Sequence, residues 1–234
     1  MRVVIMQPYL LPYIGYFQLI KSSDIFVLAD EYQYTKKGWI NRNRAILNKN
    51  VETFTVPVSN IGGSIKEKRI YSADLNHSLY RKIKQSYSKA PNADFVSPRL
   101  DEILNSDEES LFTFIEKSII SICKILEIEN KVIRLSELNN DKKLTGVERV
   151  INIAQTLGAT TYLNPEGGKE IYKNDLFMRN GIELEFLEFI PINYPQIIPG
   201  FVDRLSIIDL LYMVDLSEVL QIHLNSFQIT KNLE

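Results

Sequence analysis

The hydrophobic pattern at the start of the chain predicts a strand, a helix and a second strand. Residues 2–6 form a short, mostly apolar run rich in β-branched side chains, which is typical of a buried strand, and residues 25–28 form another. Between them, apolar positions from Ile14 onward follow helical spacing and end near Ser22. Such a βαβ unit builds parallel sheets through right-handed crossovers. We therefore expect the chain to begin as an α/β protein.

The segments after the second strand predict a β-hairpin arm. Residues 41–47 and 51–58 are strand-like and are separated by the polar turn at 48–50. We expect residues 65–71 to add a further strand after this arm.

A helical section follows, and the α/β pattern then returns. Helical periodicity predicts an insert at about 76–128 within a single domain spanning residues 1–234. Its helices are expected at 77–89, 100–104 and 110–126. Beyond it, strands are expected at 132–135, 160–163 and 182–186, and helices at 145–157 and 205–214. The predicted fold class is α/β, with a mainly parallel sheet, a βαβ start, a hairpin arm and a helical middle section.

Composition narrows the chemistry. The net charge of -2 argues against coating nucleic acid by bulk charge, so nucleic acid is not the expected partner. A single cysteine, Cys123, excludes a disulfide framework and a multi-thiolate metal site. Two histidines, His77 and His223, are too few for a His-rich zinc centre, so no metal is expected. The apolar N-terminus is interrupted by Gln7 and prolines, and no run reaches the roughly 20 residues of a membrane span. We expect a cytoplasmic location.

The loop after the first strand is the most informative segment. It lies where parallel sheets bind ligands, beyond the carboxyl end of a strand, and it leads into a helix N-terminus suited to an anionic group. Amides and phenols in this loop offer hydrogen bonds, and a glycine would allow a ligand to approach closely. An equally weighted alternative is a rigid plug that only packs on the core. The candidate binding residues are Gln7, Pro8, Tyr9, Tyr13, Gly15 and Tyr16.

The segment after the second strand concentrates positive charge among aromatic residues. Guanidinium and ammonium groups next to an aromatic face suit a phosphate attached to a ring. Because this charge is local, a small phosphorylated ligand is favoured over a polymer, whereas the simpler alternative is a solvated hairpin arm. The candidates here are Asp30, Tyr34, Lys36, Trp39, Asn41, Arg42, Asn43 and Arg44.

Two later segments carry weaker signals. A glycine pair after a strand can expose backbone amides to a ligand, although a tight turn explains it better; the residues are Asn164, Gly167 and Gly168. Tyr194 and Gln196 follow the next strand. Asp209 lies inside an apolar helix, as a helix-edge carboxylate or as a buried acid; a buried acid would need a partner, and a basic residue of the 30–44 segment is one candidate.

These motifs together resemble the WbqC-like family. The resemblance rests on residues 7–18, on Asp30 with residues 34–44, on 162–172, on 194–196 and on 205–211. It implies an association with bacterial O-antigen and other surface-polysaccharide gene clusters and a suggested transfer of an aminoacyl group such as glycine. The family offers no established catalytic residues to carry over.

A fainter similarity is to nucleotidyltransferase-like enzymes, including pantoate–β-alanine ligases. It rests on the strand, the proline-rich loop and Gly15-Tyr16 at the start of the helix. Those enzymes have a histidine where this chain has Tyr16. The similarity implies that a carboxylate is activated by ATP as an adenylate and that an amine then attacks it.

The resulting hypothesis is an enzyme that transfers an acyl or aminoacyl group to the amine of a nucleotide-linked amino sugar. Asp30, Tyr34 and Lys36 are the expected catalytic residues, with Asp30 orienting or deprotonating the amine. Lys36, Arg42 and Arg44 would hold the diphosphate. The cofactor is left open between ATP and an acyl donor, and a homo-oligomer is also left open. The alternatives are a non-catalytic nucleotide-sugar-binding or scaffold protein and, third, a protein that binds single-stranded nucleic acid through the 36–44 arm.

Overall fold

The computed structural model describes residues 1–59, 63–71 and 73–231. Strands and helices alternate along the chain, with a run of helices in the middle. In chain order the elements are β1 (Arg2–Met6), α1 (Ile14–Lys21), β2 (Ile25–Leu28), β3 (Arg42–Leu47), β4 (Asn50–Thr55), α2 (Ala73–Ser86), α3 (Ala93–Leu104), α4 (Leu111–Ile125), β5 (Lys131–Arg134), α5 (Gly146–Thr156), β6 (Thr161–Pro165), α6 (Asn174–Arg179), β7 (Glu183–Phe189), α7 (Ile207–Met213), α8 (Leu216–Gln221) and β8 (Phe227–Lys231).

Six strands form one sheet in the order β5-β2-β1-β6-β7-β8. The first five are parallel, and β8 pairs antiparallel with β7. Counted within the sheet, the order is 3-2-1-4-5-6, which is the doubly wound arrangement whose direction reverses between β1 and β6. The predicted α/β class, the mainly parallel sheet and the βαβ start from β1 through α1 to β2 are confirmed.

The hairpin arm is also confirmed, as a separate two-stranded sheet of β3 and β4. Leu47 pairs with Asn50, and Asn48 and Lys49 between them have φ angles of 50° and 63°. Positive φ at both central residues is typical of a type I′ turn, whose twist matches that of the strands. β4 was predicted to reach residue 58 but ends at Thr55, because Pro57 has no amide hydrogen to donate to the sheet.

The strand expected at 65–71 is wrong. Ile65–Glu67 is a 3₁₀ turn, and beyond it only isolated bridges join Arg69 to Ser110 and Ile70 to Val58. The Glu67 carboxylate accepts hydrogen bonds from the Ser64 amide and hydroxyl. This capping box stabilises a helical turn where the apolar pattern indicated an extended chain.

The helical middle section is confirmed as α2, α3 and α4, which pack with α1 and α7 on one face of the sheet. α3 is longer than expected because it continues through Pro98, which interrupts the helical pattern. The opposite face is covered mainly by α5, whose Val150 and Ala154 are buried. Gly158, at φ 71°, follows the end of α5 in a left-handed conformation.

Three elements were not predicted: α6, α8 and β8. The two helices are six residues long, too short for a clear periodicity. β8 joins the sheet only by pairing with β7, which is distant along the chain. The contact between Glu188 of β7 and Thr230 of β8, for example, spans 42 residues. Within the described ranges, no helix has both the length and the apolar character needed to cross a bilayer.

Candidate functional site

A cleft of about 430 Å³ opens at the carboxyl end of β1. Three separate segments form it: the loop after β1, the arm leading into β3, and the turn before α7. It lies beside the β1–β6 boundary, where the strand order reverses and where doubly wound proteins bind ligands. Its lining residues are Met6, Gln7, Pro8, Tyr9, Tyr13, Gly38, Trp39, Ile40, Asn43, Arg44 and Arg204.

Buried hydrogen bonds hold these segments together beneath the cleft. The Asn43 amide nitrogen donates to the carbonyl oxygens of Leu10 and Leu11, at 3.0 and 2.6 Å. The Ser206 hydroxyl donates to the Leu11 carbonyl at 2.7 Å, and the Ser206 amide donates to the Arg44 carbonyl at 2.8 Å. The loop, the arm and the start of α7 are thereby fixed against one another.

Two non-glycine residues around this junction have left-handed backbones. Leu11 has a φ of 43° and Arg204 a φ of 54°. Such conformations cost on the order of 1–3 kcal/mol each and persist where surrounding contacts enforce them, often at ligand sites. Here Asn43 and Ser206 enforce the conformation of Leu11 through its carbonyl.

The loop residues divide into cleft walls and buried supports. Tyr9 and Tyr13 line the cleft, and burial raises the pKa of both phenols, so each is a neutral hydrogen-bonding group at pH 7. Tyr16 is buried instead, with its hydroxyl donating to the Gln7 carbonyl at 3.3 Å. The expectation that Tyr16 contacts a ligand does not fit this position.

The absence of a side chain at Gly15 makes room for the Tyr13 ring rather than for a ligand. A Cβ added at Gly15 would clash with that ring. Tyr13 packs edge-on against Phe189, with ring centroids 5.4 Å apart. The glycine therefore makes room for a tyrosine of the wall, which corrects its predicted role of letting a ligand approach the helix.

In the arm, Trp39 and Arg44 reach the cleft. Trp39 is 47% exposed, and the guanidinium carbons of Arg42 and Arg44 lie 5.5 and 6.0 Å from its ring centroid. Arg42 does not line the cleft, because its guanidinium donates to the Gly38 carbonyl at 2.8 Å and to the Lys37 carbonyl. Of the expected phosphate ligands, only Arg44 lies in the cleft wall, since Lys36 is exposed elsewhere on the arm.

Asn41 and Tyr34 brace the hairpin. The Asn41 amide nitrogen donates to the Val56 carbonyl at 2.7 Å, and its amide oxygen accepts from the Tyr34 hydroxyl at 2.9 Å. Burial raises the pKa of Tyr34. Neither side chain lines the cleft, so Asn41 is not placed for the predicted contact with substrate.

Asp30 also lies outside the cleft wall. Its side chain is 1% exposed, and one carboxylate oxygen accepts from the Ser136 amide at 2.9 Å, in the 3₁₀ turn that follows β5. Asp30 thus faces the neighbouring loop of the sheet. The three expected catalytic residues, Asp30, Tyr34 and Lys36, are not brought together in the cleft.

The glycine-pair segment reaches the cleft indirectly. Asn164 is buried and accepts from the Tyr162 hydroxyl at 3.1 Å, and a Cβ at Gly168 would clash with the Asn164 amide. Gly167 borders open space. Asn164 and Gly168 therefore shape a tight turn, as the simpler explanation held, while Glu166 beside them forms an ion pair with Arg204.

Tyr194 and Gln196 bind a buried carboxylate instead of lining the cleft. Asp209 is fully buried and accepts from the Tyr87 hydroxyl at 2.6 Å, the Tyr194 hydroxyl at 2.8 Å and the Gln196 amide at 3.1 Å. The basic partner proposed for Asp209 is wrong, because two phenols and an amide compensate it. Burial raises the pKa of Asp209, although these hydrogen bonds oppose the shift.

Sequence reasoning missed Arg204, the second cation of the cleft. Its side chain forms ion pairs with Glu166 at 2.9 Å and Asp203 at 3.5 Å. A left-handed position is normally marked by glycine or asparagine, and here it is an arginine. No pattern along the chain could have placed this residue in the same cleft as Arg44.

Together, the fold and the cleft define a doubly wound α/β protein with an aromatic, doubly arginine-lined cleft at its switch point. In the described part of the chain, no group of three or more His, Cys, Asp or Glu side chains is arranged to hold a metal ion. The chain belongs to the WbqC-like protein family, whose sequence profile matches residues 7–220.

A relative from Mycobacterium tuberculosis, the uncharacterized protein Rv1507c, is 28% identical to this chain over 220 residues. The match covers 91% of this chain and 94% of that protein. No solved structure matches significantly. The expected family membership is confirmed.

Proposed function

We propose that the cleft binds a nucleotide-linked sugar or a similar small molecule that joins a ring to a phosphate group. The observation that carries this proposal is the meeting of Arg44 and Arg204 with the exposed indole of Trp39 in one cleft. A volume of about 430 Å³ falls within the roughly 300–1,000 Å³ of small-molecule sites.

Each part of the lining has a role in this proposal. The two guanidinium groups suit the oxygen atoms of a phosphate, which they can bind in a bidentate manner. The rings of Tyr9, Tyr13 and Trp39 offer apolar contact to a base or sugar. Gln7, exposed at the rim, adds an amide for hydrogen bonds to hydroxyl groups.

The reaction we propose is transfer of an acyl or aminoacyl group to the amine of the bound sugar, within the synthesis of a surface polysaccharide. Its support is the implied association of the WbqC-like family with such gene clusters. With Asp30 outside the cleft wall, the base for the amine would have to come from another group or from the substrate.

A second candidate is a binding or scaffold protein for nucleotide-linked sugars. One observation favours it: the titratable side chains that line the cleft are tyrosines with raised pKa values and arginines. These groups bind and orient a ligand well, but they are poor proton acceptors at neutral pH.

Trp39 makes a direct binding test possible, because it is the single tryptophan of the chain and it lies in the cleft wall. Titration with UDP- and dTDP-linked amino sugars should change its fluorescence in a saturable way. Arg44→Gln should abolish the change, whereas Arg179→Gln on α6, in an exposed pair with Asp175, should leave it intact. The absence of any saturable change and of any thermal shift with the whole panel would refute the proposal.

A turnover assay separates the two candidates. The protein is incubated with a ligand that binds and with acyl donors, including an amino acid with ATP, and the amino sugar is analysed by mass spectrometry. A product whose mass has increased by one acyl group supports the transferase. Saturable binding without product under these conditions supports the binding protein.

A further inference from the structure

Arg204 is held so that its backbone is fixed while its side chain is accessible. Its left-handed backbone lies just before Leu205 and Ser206, which are both buried, and Ser206 is tied to Leu11 and Arg44. The side chain itself is 52% exposed and lines the cleft. Neighbouring bonds thus hold the backbone of Arg204, while its guanidinium is partly accessible at the cleft wall.

Two carboxylates already neutralise this guanidinium. Glu166 lies 2.9 Å from it and Asp203 lies 3.5 Å from it. Arg44, by contrast, contacts the Trp39 ring and donates to the backbone carbonyl of Asp203 at 3.4 Å. The charges of these two arginines and two acids therefore sum to zero.

We propose that Arg204 selects the charge of the ligand and that Glu166 is an internal competitor which a phosphate displaces. The inference rests on the proposed function of the cleft. Ion pairs between half-exposed side chains are weak, whereas a guanidinium binds a phosphate through paired, charge-assisted hydrogen bonds. Glu166 follows the end of β6 with its side chain 40% exposed, so the carboxylate can turn into water when Arg204 is taken by the ligand.

This exchange gives the cleft a preference for dianions. A monoanion would only replace the Glu166 carboxylate, so the electrostatic attraction to Arg204 would hardly change. A phosphate monoester or a pyrophosphate brings additional negative charge to the same guanidinium and to Arg44. Its electrostatic attraction to the cleft is therefore stronger. The specificity thus follows from the competitor as well as from the two arginines.

The experiment compares two ligands of the same shape and different charge. Phenyl phosphate, a dianion at pH 8, and phenyl sulfate, a monoanion, are titrated against the fluorescence of Trp39 in the full-length protein. Wild type should bind phenyl phosphate at least about tenfold more tightly than phenyl sulfate. Pyrophosphate, followed by calorimetry, is the ring-free probe.

The variants are chosen so that removing one partner of the Glu166–Arg204 ion pair has the opposite effect on affinity from removing the other. Glu166→Gln should tighten binding of both probes by roughly three- to tenfold and reduce their difference, because the competitor is gone. Arg204→Gln should weaken phenyl phosphate by about tenfold or more, with partial recovery in Arg204→Lys. The exposed pair on α6 supplies the matched controls, Asp175→Asn and Arg179→Gln, which should change neither affinity.

The outcomes separate this inference from the proposed function. If wild type binds none of these anions and no nucleotide-linked sugar, both fall. If the ligands bind and Arg44→Gln abolishes binding, but Glu166→Gln does not tighten it or wild type does not discriminate between the two probes, the competitor is refuted and the binding function stands. A merely structural ion pair would weaken binding in both the Glu166 and the Arg204 variants.

Discussion

The buried hydroxyl of Tyr87 is the sharpest test of how the structure is held together, and Tyr87→Phe removes it alone. This hydroxyl donates to the Asp209 carboxylate at 2.6 Å and accepts from the Ile46 amide at 3.0 Å. Tyr87 directly follows α2, and its hydroxyl thus links Asp209 of α7 to Ile46 of β3. The ring stacks on Tyr212 with a centroid separation of 4.6 Å, and phenylalanine preserves that contact.

The expected cost follows from the two groups left without a partner. Both Ile46 and Asp209 are fully buried, so water cannot replace the hydroxyl without rearrangement. An unsatisfied buried polar group costs about 1–3 kcal/mol, and more when it is charged. Tyr87→Phe should therefore lower the free energy of unfolding by roughly 2–5 kcal/mol, a large part of the usual total of about 5–15 kcal/mol.

Two other tyrosines calibrate this value. Tyr194→Phe removes one donor from an Asp209 oxygen that still accepts from Gln196, so about 1–2 kcal/mol is expected. Tyr71 is 76% exposed, and Tyr71→Phe should stay within about 0.5 kcal/mol of wild type.

The loss should also depend on pH. Burial raises the pKa of Asp209 above that of the unfolded chain, so ionisation of this group opposes folding as the pH rises through the folded-state pKa. Removing the Tyr87 donor leaves the ionised form less well solvated. The difference between Tyr87→Phe and wild type should therefore be smallest in acid, where Asp209 is protonated in both and the loss of the Ile46 bond remains, and should widen toward neutral pH.

Urea unfolding followed by circular dichroism measures these differences, with the slope against denaturant checked for constancy. A loss below about 1 kcal/mol for Tyr87→Phe, or a loss no larger than that of Tyr194→Phe, would refute the assignment of this hydroxyl to two buried partners. A difference that shrinks toward neutral pH would contradict the stabilisation of the ionised Asp209 by the Tyr87 hydroxyl.

Three further predictions concern other parts of the molecule. The Glu31 carboxylate accepts hydrogen bonds from Lys66 and Lys142; burial raises its pKa, but these bonds outweigh burial and lower the pKa overall. Glu31→Gln should therefore destabilise the protein by about 1–3 kcal/mol at pH 7, and by progressively less as the pH falls below the unfolded pKa near 4.5. Unfolding curves at pH 7 and in acid measure both values. Burial raises the pKa of the Cys123 thiol to about 12, so a disulfide reagent at pH 8 should label it only after unfolding; rapid labelling of the native protein would show that this thiol is accessible. Gly15→Ala should push the Tyr13 ring into the cleft and weaken binding of phenyl phosphate, and a variant with unchanged affinity and thermal stability would show that the ring has room to move.

Much of the fold was predictable because its signals are local. The β-branched runs of β1 and β2 and the helical spacing of α5 each lie within one short window of sequence. The strand predicted at 65–71 failed because one side chain, Glu67, caps the Ser64 amide and turns the chain. β8 escaped prediction because its pairing with β7 depends on residues distant along the chain.

The candidate site was predictable at the level of segments. The loop after β1 and the arm before β3 do meet in one cleft, and Tyr9, Tyr13, Trp39 and Arg44 lie in its wall. Individual side chains were harder, since neighbours in sequence point in different directions. Tyr16 turns into the core, and Arg42 binds carbonyl groups of its own loop.

The amino-acid sequence by itself determined the parallel βαβ start, the hairpin arm, the helical middle section and the two ligand-type segments, because hydrophobic periodicity and turn chemistry act over a few residues. Only the tertiary structure decided that Asp30 faces the loop after β5, that two phenols and an amide compensate Asp209, and that Arg204 completes the cleft. The physical reason is that these outcomes depend on contacts between distant segments. The hydrogen bond from Ser206 to Leu11, for example, spans 195 residues of chain. It helps to bring Arg204 to the cleft formed in part by the loop after β1.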